Sequence, residues 1–191
     1  MTALILGLLL FLGTHSIRIV ADDWRTTQRA RLGENRWKGL YSLASALGLG
    51  LLVWGYGLAR AAPVALWLPP EWTRNLTALL TLPAFVLIAA AYVPGNRIKA
   101  AVGHPMVAGV KVWAIAHLCS NGKLADVLLF GAFLVWAVLD FRSARRRDRA
   151  AGVRYPAGSG ARDGLAVAAG IGAWALFAAF LHLRLIGVRP Y

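Results

Sequence analysis

The sequence predicts an all-α, polytopic membrane helix bundle of about six transmembrane helices, with both termini on the periplasmic side. Three observations carry that expectation. Of the 191 residues, 59% are hydrophobic and only 15% charged, with a mean hydropathy of +0.59, whereas a soluble domain of this size needs far more polar surface. Apolar runs recur at lengths near the roughly 20 residues that cross a bilayer. Lysine and arginine collect in alternate connections between those runs, as cytoplasmic loops do.

The first run, about 2–20, begins "MTALIL" without a basic leader segment and is long enough to span, so it reads as a helix rather than a cleaved signal peptide. After it, "DDWRTTQRARLGENRWKG" reads as an interfacial helix with Asp22 or Asp23 as its N-cap. The second and third runs cover about 40–60 and 75–93, the latter with Pro83 expected to kink it. The fourth, about 106–120, is the weakest, because Lys111 and His117 interrupt it. A fifth covers about 125–141, a basic cytoplasmic loop follows at 142–164, and the sixth covers about 165–187. No stretch reads as an interdomain linker, so residues 1–191 are taken as one membrane domain.

Orientation rests on the arginines. The connections after the first, third and fifth runs hold Arg25, Arg29, Arg31, Arg36 and Lys38, then Arg97 and Lys99, then the series from Arg142 to Arg162. The other side holds Arg60, Arg74, Lys123, Arg184 and Arg189. The formal charge of +13 is therefore topogenic, and nucleic acid is not expected as a partner; the bilayer is. Trp24, Trp37, Trp67 and Trp72 fall near span ends, where amphipathic rings prefer the headgroup zone. Small residues crowd the second and sixth runs ("ASALGLGLLVWGYG", "AVAAGIGAWALFAAF") and favour close helix packing. Such faces serve a dimer as readily as a bundle core.

Lone Cys119 excludes an intramolecular disulfide and a cysteine-cluster metal site. The chain has no Gly-rich phosphate loop, nucleophile–base motif or paired catalytic carboxylates. Ionisable groups in membrane spans are costly and mark function by default. All four histidines, His15, His104, His117 and His182, lie in or at the edge of a span, with only Asp126 and Asp140 near span ends. Neutral imidazoles facing one another across a helix bundle can hold haem iron. By depth, His15 lies about 9 Å from the cytoplasmic surface and His117 about 20 Å beyond His104, which pairs His15 with His104 or His117 with His182. His15 with His117 requires a tilted macrocycle or a fourth helix that starts deeper. His104 and Lys111 point the same way along the fourth run and His117 the opposite way, so Lys111 is expected to snorkel past His104 to the headgroups. Arg18 is expected to anchor the end of the first run in the same manner.

The motifs "THSIR", "ENRWKGLYSLAS", "GHPM" and "WAIAHLCSNGKLADVLLFGAFLVWAVLD" resemble the NnrU family of bacterial membrane proteins over nearly the whole chain to about residue 147. That family is in turn similar to plant 15-cis-zeta-carotene isomerase, a membrane enzyme with haem b. The resemblance implies a multi-pass protein of the bacterial inner membrane with haem b as cofactor. His15 and His117 are then the axial iron ligands, and His104 a further cofactor-site histidine. It implies a role in denitrification, in nitrite and nitric oxide metabolism, as an accessory or redox component with an electron-transfer or nitrogen-oxide reductase partner. An alternative is a haem-dependent cis–trans isomerase acting on a lipid-phase polyene. The plant enzyme exchanges an axial histidine for a cysteine three residues before its second histidine. Here that position is Ala114, and Cys119 follows His117 instead. A further alternative is a cofactor-free scaffold or small transporter.

Overall fold

The computed structural model describes residues 1–190, and among them every regular element is helical. In chain order these are α1 (Thr2–Val20), α2 (Asp22–Leu32), α3 (Glu34–Ala61), α4 (Trp72–Tyr92), α5 (Arg97–Val102), α6 (Pro105–Ser120), α7 (Leu124–Ala150), α8 (Gly160–Leu176) and α9 (His182–Ile186). A π-helical turn, Phe177–Leu181, joins α8 to α9 in one continuous rod. Five helices (α1, α3, α4, α7 and the α8–α9 rod) are long and apolar enough to cross a membrane. Most of their apolar surface faces outward, which suits contact with lipid chains.

The boundaries refine the expected ones. α6, the weakest run in the sequence, is 16 residues, about 24 Å against a hydrocarbon core of about 30 Å. Asp22 and Asp23 do not cap α2: Ala21 occupies the N-cap, and both aspartates sit in the first turn, where their charge complements the positive end of the helix dipole. The stretch 142–164 is not a loop throughout. α7 continues to Ala150, because "FRSARRRDRA" lacks glycine and proline and is rich in arginine and alanine, which favour helix.

The chain forms two compact units, Met1–Trp67 with Lys123–Trp136, and 68–122 with 137 onward. In the first, α1 packs on α3 through glycine. A Cβ on Gly7 would meet the Leu52 backbone at 2.4 Å, one on Gly48 the Phe11 backbone at 2.7 Å, and one on Gly55 the Leu4 backbone at 2.3 Å. Small residues therefore set the approach of the two helices. Leu4, wholly buried, sits at this seam. The start of α7 is fixed by Asp126, whose carboxylate accepts from the Tyr56 hydroxyl at 2.6 Å and from the Lys123 backbone N–H at 3.3 Å. In the second unit, α4 packs against α6 and α8. Gly109 approaches the Ala84 carbonyl, and Gly170 approaches the Val86 backbone. Thr77 donates to the Ala116 carbonyl at 2.8 Å, and Trp174 Nε1 donates to Thr81 at 3.1 Å.

Candidate functional site

His15 lies in the first unit, on the face of α1 turned to α3 and α7. Its Nδ1 is 2.7 Å from the Phe11 carbonyl oxygen, one turn back on the same helix. A carbonyl only accepts, so Nδ1 carries the proton, which in the neutral form of the ring leaves the lone pair on Nε2. That nitrogen makes no hydrogen bond among the described residues. Aromatic rings hold the imidazole in place: Phe11 at 4.3 Å between centroids, Tyr41 edge-on at 5.5 Å and Trp136 perpendicular at 6.1 Å. Two buried polar atoms of this unit, Trp136 Nε1 and Ser45 Oγ, have no hydrogen-bond partner among the described residues. Ser45 lies one turn along α3 from Tyr41. Buried donors are nearly always satisfied, so two orphans around one histidine single out this place.

The second unit holds the other three histidines. His117 repeats the local device of His15: its Nδ1 lies 2.9 Å from the Trp113 carbonyl, with the Trp113 ring at 5.1 Å. Asn121 Nδ2 donates to the His117 carbonyl at 2.8 Å and fixes the end of the helix. His104 differs. Its Nε2 is 2.7 Å from Asp148 Oδ2, which also accepts from the Tyr155 hydroxyl at 2.7 Å. Phe141 and Tyr155 meet the ring edge-on at 6.2 and 6.3 Å. The acceptor is a carboxylate, so this nitrogen donates, and His104 presents a tautomer opposite to that of His15 and His117. His182 Nδ1 donates to the Val188 carbonyl at 2.6 Å and clamps the turn after α9.

The expected ligands thus separate by chemistry. His15 and His117 are each oriented by a backbone bond at Nδ1, as metal-bound histidines often are, and His15 offers its Nε2, whereas His104 commits Nε2 to Asp148. His15 belongs to one compact unit and His117 to the other. The Lys111 ammonium rests 3.6 Å from the Phe141 ring centroid, on the aromatic group that also borders His104. Arg18, in the last turn of α1, is exposed, with Nε 4.0 Å from Asp22 at the start of α2, in keeping with an anchoring role.

Sequence reading missed Asp148 and Tyr155. The only signal was one aspartate inside an arginine run, and its histidine partner lies 44 positions away. Burial, then the hydrogen bond and charge of Asp148, push the Tyr155 phenol above the usual tyrosine range. Tyr155 sits in the loop after α7 and ties that loop to α6.

A family model described as "NnrU protein" matches residues 3–190. The chain belongs to the NnrU family. No curated protein and no solved structure matches it. The match takes in every histidine of this NnrU-family chain and reaches past residue 147, through the α8–α9 rod.

Proposed function

We propose that this NnrU-family membrane protein binds haem b and serves nitrogen-oxide metabolism as a redox or accessory component. The observation that carries the reading is His15: an imidazole held by its Nδ1–H on its own helix with Nε2 presented, in a half-buried aromatic setting of the unit that also holds the orphaned Trp136 Nε1 and Ser45 Oγ. The donor chemistry fits haem iron, which takes neutral imidazole nitrogen, and the backbone bond at Nδ1 fixes ring orientation and raises ligand basicity. His117, with the same bond, is the second proposed ligand. His104 is a supporting residue in this reading, since Asp148 already engages its Nε2. Haem bound here would supply a one-electron couple. The chain's own part is to orient the imidazoles and exclude water. The link to denitrification rests on family membership.

A polyene isomerase working through an exchange of axial ligands is the weaker reading. The position corresponding to the exchanging cysteine is Ala114, an apolar residue wholly buried in α6.

The deciding test is the absorbance of detergent-purified protein expressed with haem supplied. A Soret band that shifts on reduction is expected, with His15→Ala and His117→Ala each losing most of it while helicity by circular dichroism is kept. A colourless wild type overturns the haem assignment. An unchanged band in either variant removes that histidine from the ligand set.

A further inference from the structure

A second place in the first unit has the character of a ligand site and involves no iron. Beneath α2 lies a cavity of about 280 Å³ lined by the end of α1 (Thr14, Ile17), by α2 (Trp24, Gln28, Leu32) and by the start of α3 (Trp37, Leu40, Tyr41, Ala44). None of these nine residues is charged, although arginines flank them on every element. Trp24 and Trp37 meet edge-to-face at 5.9 Å and supply flat aromatic walls. Besides the Thr14 and Tyr41 hydroxyls, Gln28 is the polar member of the lining. Its amide makes no hydrogen bond among the described residues, so it brings two donors and an acceptor to a mostly apolar space. Thr14 spends its proton on the Leu10 carbonyl at 2.7 Å, which leaves its oxygen able to accept.

These features restrict the occupant. The volume lies just below the usual range for ligand clefts, which begins at about 300 Å³, so it suits a single ring and not a nucleotide. A lining without charge matches a neutral molecule and offers nothing to a phosphate. An acyl chain has no use for Gln28, and covering that amide without a partner costs free energy. The cavity lies where the apolar helices give way to polar α2, so a ligand with a polar head and an apolar tail reaches it from the bilayer.

We propose that the hollow under α2 binds the head ring of a lipid-phase quinone: a flat, neutral ring bearing carbonyls on an apolar tail. Gln28 donates to a ring carbonyl, Thr14 accepts from the hydroxyl of the reduced ring, and of the two nearly perpendicular tryptophans one stacks on a ring face while the other meets its edge. The site stands independently of the haem reading.

The test titrates decylubiquinone into the detergent-solubilised full chain and follows quenching of tryptophan emission, with decylbenzene as a probe that keeps the tail and lacks the carbonyls. Saturation at one quinone per chain is expected, with decylbenzene at least tenfold weaker. Gln28→Leu is expected to weaken quinone binding about tenfold and Gln28→Glu at least as much, and Ala44→Phe, which fills the cavity, to abolish it. Gln28 lies on a polar surface helix, and unchanged helicity of its variants verifies the fold. Absence of saturation overturns the proposal. So does equal binding of decylbenzene with no effect of Gln28→Leu, which describes an acyl-chain groove. The two readings separate on the wild type: a colourless protein that still saturates with quinone sinks the haem assignment alone, and a Soret band without saturation sinks the quinone site alone.

Discussion

Tyr155 shows how one side chain can decide whether a charged segment is tethered. Its hydroxyl reaches Asp148, which also holds His104. Removing it by Tyr155→Phe takes a hydrogen bond from a charged acceptor at a partly exposed site, worth about 1 kcal/mol. The loop after α7 should then open roughly fivefold more often, read as faster tryptic cleavage after Arg154 at neutral pH. Equal cleavage of both proteins would show the tether to be idle. The raised phenol pKa has a definite sign. The tether is complete below the unfolded tyrosine value of about 10 and is lost as pH climbs past the higher folded value. A phenolate absorbance titration, wild type minus Tyr155→Phe, should therefore have its midpoint above 10, and a midpoint at or below 10 sinks the assignment. At this scale the sequence was partly legible. The cost of burying imidazoles marked the histidines, and their spacing separated His104 from His117. What each ring touches was not legible, because Phe11 and Trp113 act through backbone carbonyls and Asp148 is remote in the chain.

Helices proved easier to read than residues, because hydrophobic run length reports spans directly. Errors fell at ends, where α3 and α7 extend beyond their apolar runs into charged sequence that is still helix-forming. The π-helical turn at Phe177–Leu181 had no signature in "FAAFL"; such turns arise from the packing of the whole rod. The small residues of the second run were read as packing residues, and the structure divides them. Gly55 presses on the Leu4 backbone, whereas Gly57 has open space where a Cβ would stand. Gly55→Ala should then cost about 1–3 kcal/mol through overpacking against a main chain that cannot yield. Gly57→Ala should be neutral or stabilising, since alanine exceeds glycine in helix propensity by up to about 1 kcal/mol. Thermal unfolding of the two variants in one detergent checks the contrast, and equal shifts would deny glycine its part in the α1–α3 seam.

For the whole molecule, the question left by a 16-residue α6 is one of parity. Six crossings return the C-terminus to the side of the N-terminus, and five place the two on opposite sides. Within the second unit α6 runs antiparallel to α4 over most of its length, from Gly109 beside Ala84 to Ser120 beside Thr77. Its start lies at the same end as the residues that follow α7: His104 meets Asp148, and the Arg97 backbone N–H donates to Asp163 at 2.6 Å. A helix that traverses the depth of a spanning neighbour and begins where α7 finishes behaves as a crossing, and the missing few ångströms fall within what local bilayer thinning accommodates at modest cost. The arginine series on α7 and after it, together with Arg97 and Lys99, then lies on one side, which the positive-inside tendency assigns to the cytoplasm. Alkaline phosphatase fused after Arg189 should accordingly be active, and a fluorescent protein at the same position should stay dark. A fusion within 151–158 should give the reverse pair of signals. Fluorescence from the C-terminal fusion, with the loop fusion also fluorescent, would mean that the α8–α9 rod does not cross. Fluorescence there with an active phosphatase in the loop would invert the orientation drawn from the arginines.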